Sequence, residues 1–198
     1  MKVERITDGL WRWTAPHPDW NEGDDWPRDV GCVYWEGAEA TVLVDPLVPE
    51  DVSDRDRFHA ALDRDVERMG LPVAILQTCR WHGRSVRELA ARYQATVHAT
   101  ADDAGLPAGV RGIAAPSADE VVWWLEGARA VVPGDTLLGD DVGGVTVCPA
   151  SWLDAGDQAE LATQLAPLLA LPCERILVSH GRPVLVDGGS ALRRALDC

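Results

Sequence analysis

Lysine is almost missing from this chain. Lys2 is the only one and every other basic residue is arginine, while Asp and Glu total 32 against 18 Lys and Arg. The formal net charge of −14 repels polyanions, so nucleic acid and anionic membrane surfaces are not expected as partners. Long apolar runs are absent too. None approaches the ~20 residues that span a bilayer, and the opening "MKVERITDGLWRW" lacks the apolar core of a secretion signal. A cytoplasmic location is expected. No CxxC pair occurs. Five cysteines, odd in number and widely spaced, predict free thiols in a reducing compartment. Cys32, Cys148 and Cys173 sit in or near apolar runs and read as small core residues. Cys198, the last residue, reads as exposed. No repeat, linker or low-complexity segment divides the 198 residues, which predicts a single domain over 1–198.

Phenylalanine and tyrosine are scarce, at one and two, but tryptophan occurs nine times. Trp11, Trp13, Trp35, Trp123 and Trp124 fall in strand-like runs and read as core. Trp20, Trp26, Trp81 and Trp152 fall in or near loops. The first half opens with strands around Asp8-Gly9, a Pro/Gly/Asp/Trp-rich loop over 16–31, and a hairpin over 32–47. Helical spacing over 51–70 ends on Gly70, a stop signal. An apolar strand "PVAILQT" and a helix "SVRELAARYQ" follow, the helix with Ser85 and Glu88 in capping-box spacing, then the strand "ATVHAT". The second half predicts strands over 120–127, 128–139 and 143–150, a helix over 157–171, a strand over 175–181 and a terminal helix from Gly188. Strands lead each half and helices follow, so two packed sheets with helices outside is the expected α/β (α+β) architecture, which periodicity alone does not distinguish from a doubly wound sheet.

Several phrases then fall into one order: "ATVLVDPL", "ILQT" with the loop 79–84 and its helix, "ATVHAT", "AVVPGDTLLG" and "RILVSHG". Together they resemble the metallo-β-lactamase-fold superfamily over nearly the whole chain. The resemblance implies a four-layer αββα sandwich, two mixed β-sheets flanked by helices, with a metal site between the sheets at one edge. It also implies a hydrolase, most often zinc-dependent. Two histidines at i and i+2 of the family motif His-x-His-x-Asp-His share one metal, and the Asp and last His face a second.

This chain departs from that motif. Its ligand positions hold Cys79, Trp81, Gly83 and Arg84, and His82 falls on a spacer that should point away. No histidine occupies the later "GHTPG"-type position. Asp135 in "PGDTL" and His180 in "VSHG" remain, and Asp45 matches an aspartate that orients a ligand. Arg84 cannot deprotonate and would repel a divalent cation. No metal and no cofactor is therefore expected, with a ligand-binding or structural role. The alternative is a zinc-dependent ester, thioester or lactone hydrolase with one metal on Cys79, Asp135 and His180.

Without a metal Asp135 needs a cation, which Arg84 or Arg80 could supply; otherwise backbone amides satisfy it. Catalytic candidates are Asp135, His180, His82 and Arg84. A small-molecule ligand is expected against Arg80, Trp81, His82, Arg84, Asp45, Trp20 and Trp26. His17, His59 and His98 read as structural or solvent-facing. A homodimer through "DGLWRWTAPHPDW" is compatible with the sequence.

Overall fold

The computed structural model describes residues 1–196. Six strands form the first sheet in chain order: β1 (Lys2–Thr7), β2 (Leu10–Pro16), β3 (Asp29–Glu36), β4 (Thr41–Val44), β5 (Val73–Leu76) and β6 (Thr96–His98). β1 to β4 are an antiparallel meander, and β4, β5 and β6 run parallel. The parallel pairs need crossovers, supplied by α1 (Val52–Met69) and α2 (Val86–Tyr93). Asp51 caps α1 by accepting from Asp54 N, and Gly70 ends it with φ +61°.

The second sheet has the order β12-β9-β8-β7. It contains β7 (Val110–Ala115), β8 (Glu120–Leu125), β9 (Ala130–Val132) and β12 (Arg175–Ile176). A separate ribbon pairs β10 (Leu137–Gly139) with β11 (Val145–Val147), and α3 (Gln158–Leu165) and α4 (Gly188–Leu196) complete the chain.

The layers follow from three cores. Val42, Leu76, Trp123, Leu125 and Val132 pack between the two sheets. Trp13, Leu43 and Ile75 pack outward against Phe58 and Leu62 of α1 and Leu89 of α2. Val122, Trp124 and Val131 pack outward against Leu161 and Leu165 of α3 and Leu192 of α4. Neighbouring strand residues point to opposite faces, so the adjacent Trp123 and Trp124 enter different cores. Strands covered on both faces read as unbroken apolar runs, as "VAIL" and "VVWWL" do. The arrangement is the αββα sandwich.

Local departures from the sequence reading have physical causes. The expected strand over 128–139 stops at Val132, because Pro133 cannot donate to a ladder and the turn after it is claimed by a buried side chain described below. The expected helix over 157–171 breaks at Ala166 into a 3₁₀ segment containing Pro167. Ser85 makes no cap; its Oγ accepts from Val48 N at 2.9 Å instead. β7 lies outside the expected strands, since "VRGIAA" carries little β-branched or aromatic signal. Cys32, Cys79, Cys148 and Cys173 are buried free thiols, and Cys198 lies outside the described residues. Among these residues no helix is long and apolar enough to cross a membrane.

Candidate active site

The site is assembled at one edge of the sandwich from the ends of strands. β4 delivers Asp45, which is buried and adopts φ +46°. Its carboxylate accepts from Thr78 N at 2.8 Å and Thr78 Oγ1 at 2.6 Å. The same carboxylate lies 2.7 Å from His82 Nδ1. An aspartate offers only acceptors here, so Nδ1 carries the proton and Nε2 is the end of His82 that faces the cleft.

The expectation that His82 points away is overturned. Residues Arg80–Gly83 form a 3₁₀ turn, not an extended loop. At three residues per turn, positions three apart share a face. Cys79 and His82 therefore point inward together, both buried, and Trp81 is turned out with 69% exposure. Trp81 is not at a ligand position.

Asp135 sits opposite. His82 Nε2 is 3.2 Å and His180 Nε2 is 3.1 Å from its Oδ1, and Cys79 Sγ is 3.9 Å from its Oδ2. The expected Arg–Asp135 pair does not form. Arg84 bonds Ser179 Oγ at 3.0 Å and the Asp45 carbonyl at 3.3 Å. Arg80 pairs with Asp119 and Asp154. Both guanidiniums are held by the ends of neighbouring segments, and the histidines face Asp135 instead.

Backbone amides do not satisfy Asp135 either, because Glu120 takes them. Its buried carboxylate accepts from Gly134 N (2.8 Å), Asp135 N (2.6 Å), Thr136 N (3.0 Å) and Thr136 Oγ1 (2.6 Å). Four donors on one carboxylate fix the turn that presents Asp135. His180 is fixed from the other sheet. Arg12, buried on β2, donates to the carbonyls of Val178 (3.1 Å) and Gly181 (3.4 Å), and Gly31 N bonds Ser179 O at 2.7 Å. Thr78, Glu120 and Arg12 were not singled out from sequence. The signals were a carboxylate opening an apolar strand and an arginine among strand tryptophans.

Burial and the nearby Arg84 oppose a charge on His82, yet Asp45 and Asp135 outweigh them and push it up to about 9. Burial works against ionised Asp135, but His82 and His180 hold it well below the carboxylate range. Burial lowers His180, and the charge of Asp135 only partly offsets this. Burial, reinforced by Asp135, raises the Cys79 thiol far above its ordinary value. Cys79 is therefore a protonated thiol here, unsuited to act as a free nucleophile.

His82, Asp135 and His180 floor a cleft of about 600 Å³. Its walls include Arg84, Trp26, Trp81, Trp152 and, unexpectedly, His17. Trp26 and Trp152 pack edgewise on His180, with ring centroids 5.4 and 5.8 Å away. Trp20 does not line it, but its indole N–H bonds the Trp26 carbonyl and braces that loop. His59 pairs with Glu88, and His98 is buried near Asp103.

The donor set fits a metal ion. Sγ of Cys79, a ring nitrogen of His82 and a carboxylate oxygen of Asp135 lie within 4.8 Å of one another. A tetrahedral zinc with bonds of roughly 2.0–2.3 Å has ligand–ligand edges of about 3.3–3.8 Å. The 3.2 Å separation of His82 Nε2 from Oδ1 of Asp135 lies close to that range, and Cys79 Sγ lies 3.9 Å from the other oxygen, Oδ2. Oδ1 of Asp135 is buried and lacks a hydrogen bond of good geometry, the mark of an oxygen shaped for another partner.

No protein-family model and no curated protein sequence matches this chain. Solved structures do. A metallo-β-lactamase from Erythrobacter litoralis aligns over 98% of this chain and 90% of its own, with TM-score 0.62 and 16% identity. One from Pontibacter korlensis aligns over 99% and 97%, with TM-score 0.59 and 16% identity. A metallo-β-lactamase family protein from Thermus thermophilus aligns over 98% and 78%, at 0.56 and 16%. The chain thus has the metallo-β-lactamase fold.

Proposed function

We propose that the cleft is a mononuclear hydrolytic site, with Cys79, His82 and Asp135 as its metal donors and an ester, thioester or lactone as its substrate. The observation that carries this reading is the approach of those three donor types to within 4.8 Å of one another, with His82 and Asp135 lining the cleft. The neighbours titled metallo-β-lactamases support the reaction class by analogy of fold. This reading is preferred to the metal-free one because the inward turn of His82 adds a donor that the extended motif had discounted.

Cys79, His82 and Asp135 would hold a zinc ion there, and it would supply Lewis acidity towards a carbonyl oxygen and a hydrolytic nucleophile at neutral pH. The chain does the rest. Asp45 fixes the ring of His82 and keeps its proton on Nδ1, as carboxylates behind ligating histidines do. Glu120 sets the Asp135 turn. Arg84, tethered by two hydrogen bonds, places a fixed positive charge beside the reacting region, where developing negative charge is stabilised. Trp26 and Trp152 close over His180 and exclude water from that side. His180, with Nε2 3.1 Å from Oδ1 of Asp135, is a further nitrogen donor beside that carboxylate.

One observation favours a second reading. A charged His82 between Asp45 and Asp135 balances the site without metal, giving a ligand-binding protein with no hydrolase activity. Elemental analysis of protein purified without chelator separates the two. The hydrolase reading expects one equivalent of zinc or a similar ion, and a melting temperature lowered by chelator and restored by zinc. Zinc at 100 times its Kd adds about 2.7 kcal/mol, a rise of roughly 5–10 °C at this chain length. No metal, and no thermal response to zinc, manganese or iron, would leave the ligand-binding reading standing alone.

A further inference from the structure

We propose that the substrate of this cleft carries a cationic head, an amine or quaternary ammonium, held at the mouth while its carbonyl reaches the floor. This rests on the hydrolytic reading for the carbonyl, but not for the head.

Charge is unevenly distributed along the cleft. Four carboxylates line it: Asp19, Asp25, Asp135 and Asp154. Asp135 faces His82 and His180, and both oxygens of Asp154 are taken by Arg80. Asp19 and Asp25 form no ion pair among the described residues. Both lie on the loop between β2 and β3, beside Trp26. The fixed cation of the lining, Arg84, is at the opposite, inner end, bound to Asp45 O and Ser179 Oγ. The cleft is therefore polar along its length: negative and indole-lined at the mouth, positive at the floor.

Indoles are the best side-chain surface for a weakly hydrated cation, and a carboxylate nearby adds a longer-range attraction. Trp26 and Trp152 supply that surface next to Asp25, whose Oδ2 accepts from the Trp152 indole N–H at 2.9 Å. This bond joins the two walls and fixes the carboxylate against the ring. The rim already holds one cation in this manner. The Arg80 guanidinium lies 4.8 Å from the centre of the Trp81 ring while its nitrogens bond Asp154. A carboxylate head would meet Asp19 and Asp25, and a neutral head would leave their charge uncompensated. A cationic head at the mouth places the acyl carbon toward the floor and its oxygen toward Arg84.

The test compares choline with 3,3-dimethylbutan-1-ol, its uncharged isostere, by tryptophan fluorescence and calorimetry on the full chain at two salt concentrations. Choline is expected to bind at least tenfold more tightly, and to lose affinity as salt rises. In the Asp19→Asn/Asp25→Asn variant the two should bind within about twofold. The side-chain amide oxygen that replaces the Asp25 carboxylate can still accept from Trp152, so the wall-to-wall tie and the fold are kept. Equal binding of the two probes by the wild type overturns the proposal.

A second arm measures hydrolysis of acetylcholine against 3,3-dimethylbutyl acetate by zinc-loaded protein. A kcat/KM preference of tenfold or more for the cationic ester supports it, and equal rates overturn it while leaving the hydrolase reading intact. If choline is preferred in binding but neither ester is cleaved, the cation site stands and the hydrolytic reading is decided by the metal analysis above.

Discussion

At the scale of the residue, His82 has the largest consequence. Its side chain is the point where two accounts of the site divide, since it holds a proton in one and donates to a metal in the other. The signs are opposite and measurable. In chelated protein the folded-state value of about 9 lies above the ordinary 6.5, so the stabilisation from charged His82 is full below pH 6.5. It is lost as pH rises towards 9. Denaturant unfolding of chelated protein should show stability falling by on the order of 3 kcal/mol over that window. His82→Asn should abolish the slope. Zinc at pH 7 must expel the Nε2 proton of His82 and the thiol proton of Cys79, so calorimetry in buffers of different ionisation enthalpy should detect about two protons released on binding.

At the scale of the element, the site depends on two short connections held by buried polar groups from a neighbouring strand. Glu120, at the start of β8, binds the turn between β9 and β10 through four hydrogen bonds. Replacing it by alanine strands four donors, of which the three backbone amides cannot turn away. The expected cost is about 3–5 kcal/mol, read as a lower denaturant midpoint with an unchanged slope. The zinc affinity of Glu120→Ala should fall as well, since Asp135 loses its fixed turn. The segment after β12 that presents His180 is held by Arg12 and by the close approach of Gly31. A Cβ at position 31 would lie 2.5 Å from the Arg12 guanidinium and 2.6 Å from the Val178 carbonyl. The second is backbone and cannot swing aside.

At the scale of the whole molecule, the charge of −14 repels itself in the folded state. Raising sodium chloride from 20 to 200 mM should raise the melting temperature of chelated protein by a few degrees through screening. The layered core was legible because each half of the chain states its pattern locally. Apolar runs such as "VAIL" and "VVWWL" mark strands buried on both faces, and Asp51 and Gly70 mark the ends of α1. Asp45, Asp135 and His180 were likewise legible as ends of strands in a familiar order. What the sequence could not state was orientation. Whether residues 79–84 run extended or close into a 3₁₀ turn decides which of His82 and Trp81 faces inward, and that choice is set by Asp45 and Thr78 gripping Nδ1 from the ends of neighbouring strands. Nor could it state partnership. A carboxylate at 120 meets its partners only when β8 and β9 pair, and an arginine at 12 and an aspartate at 135 meet theirs only when the two sheets close on one another. Burial then makes each unpaired group too costly to leave alone, and so decides which charges pair.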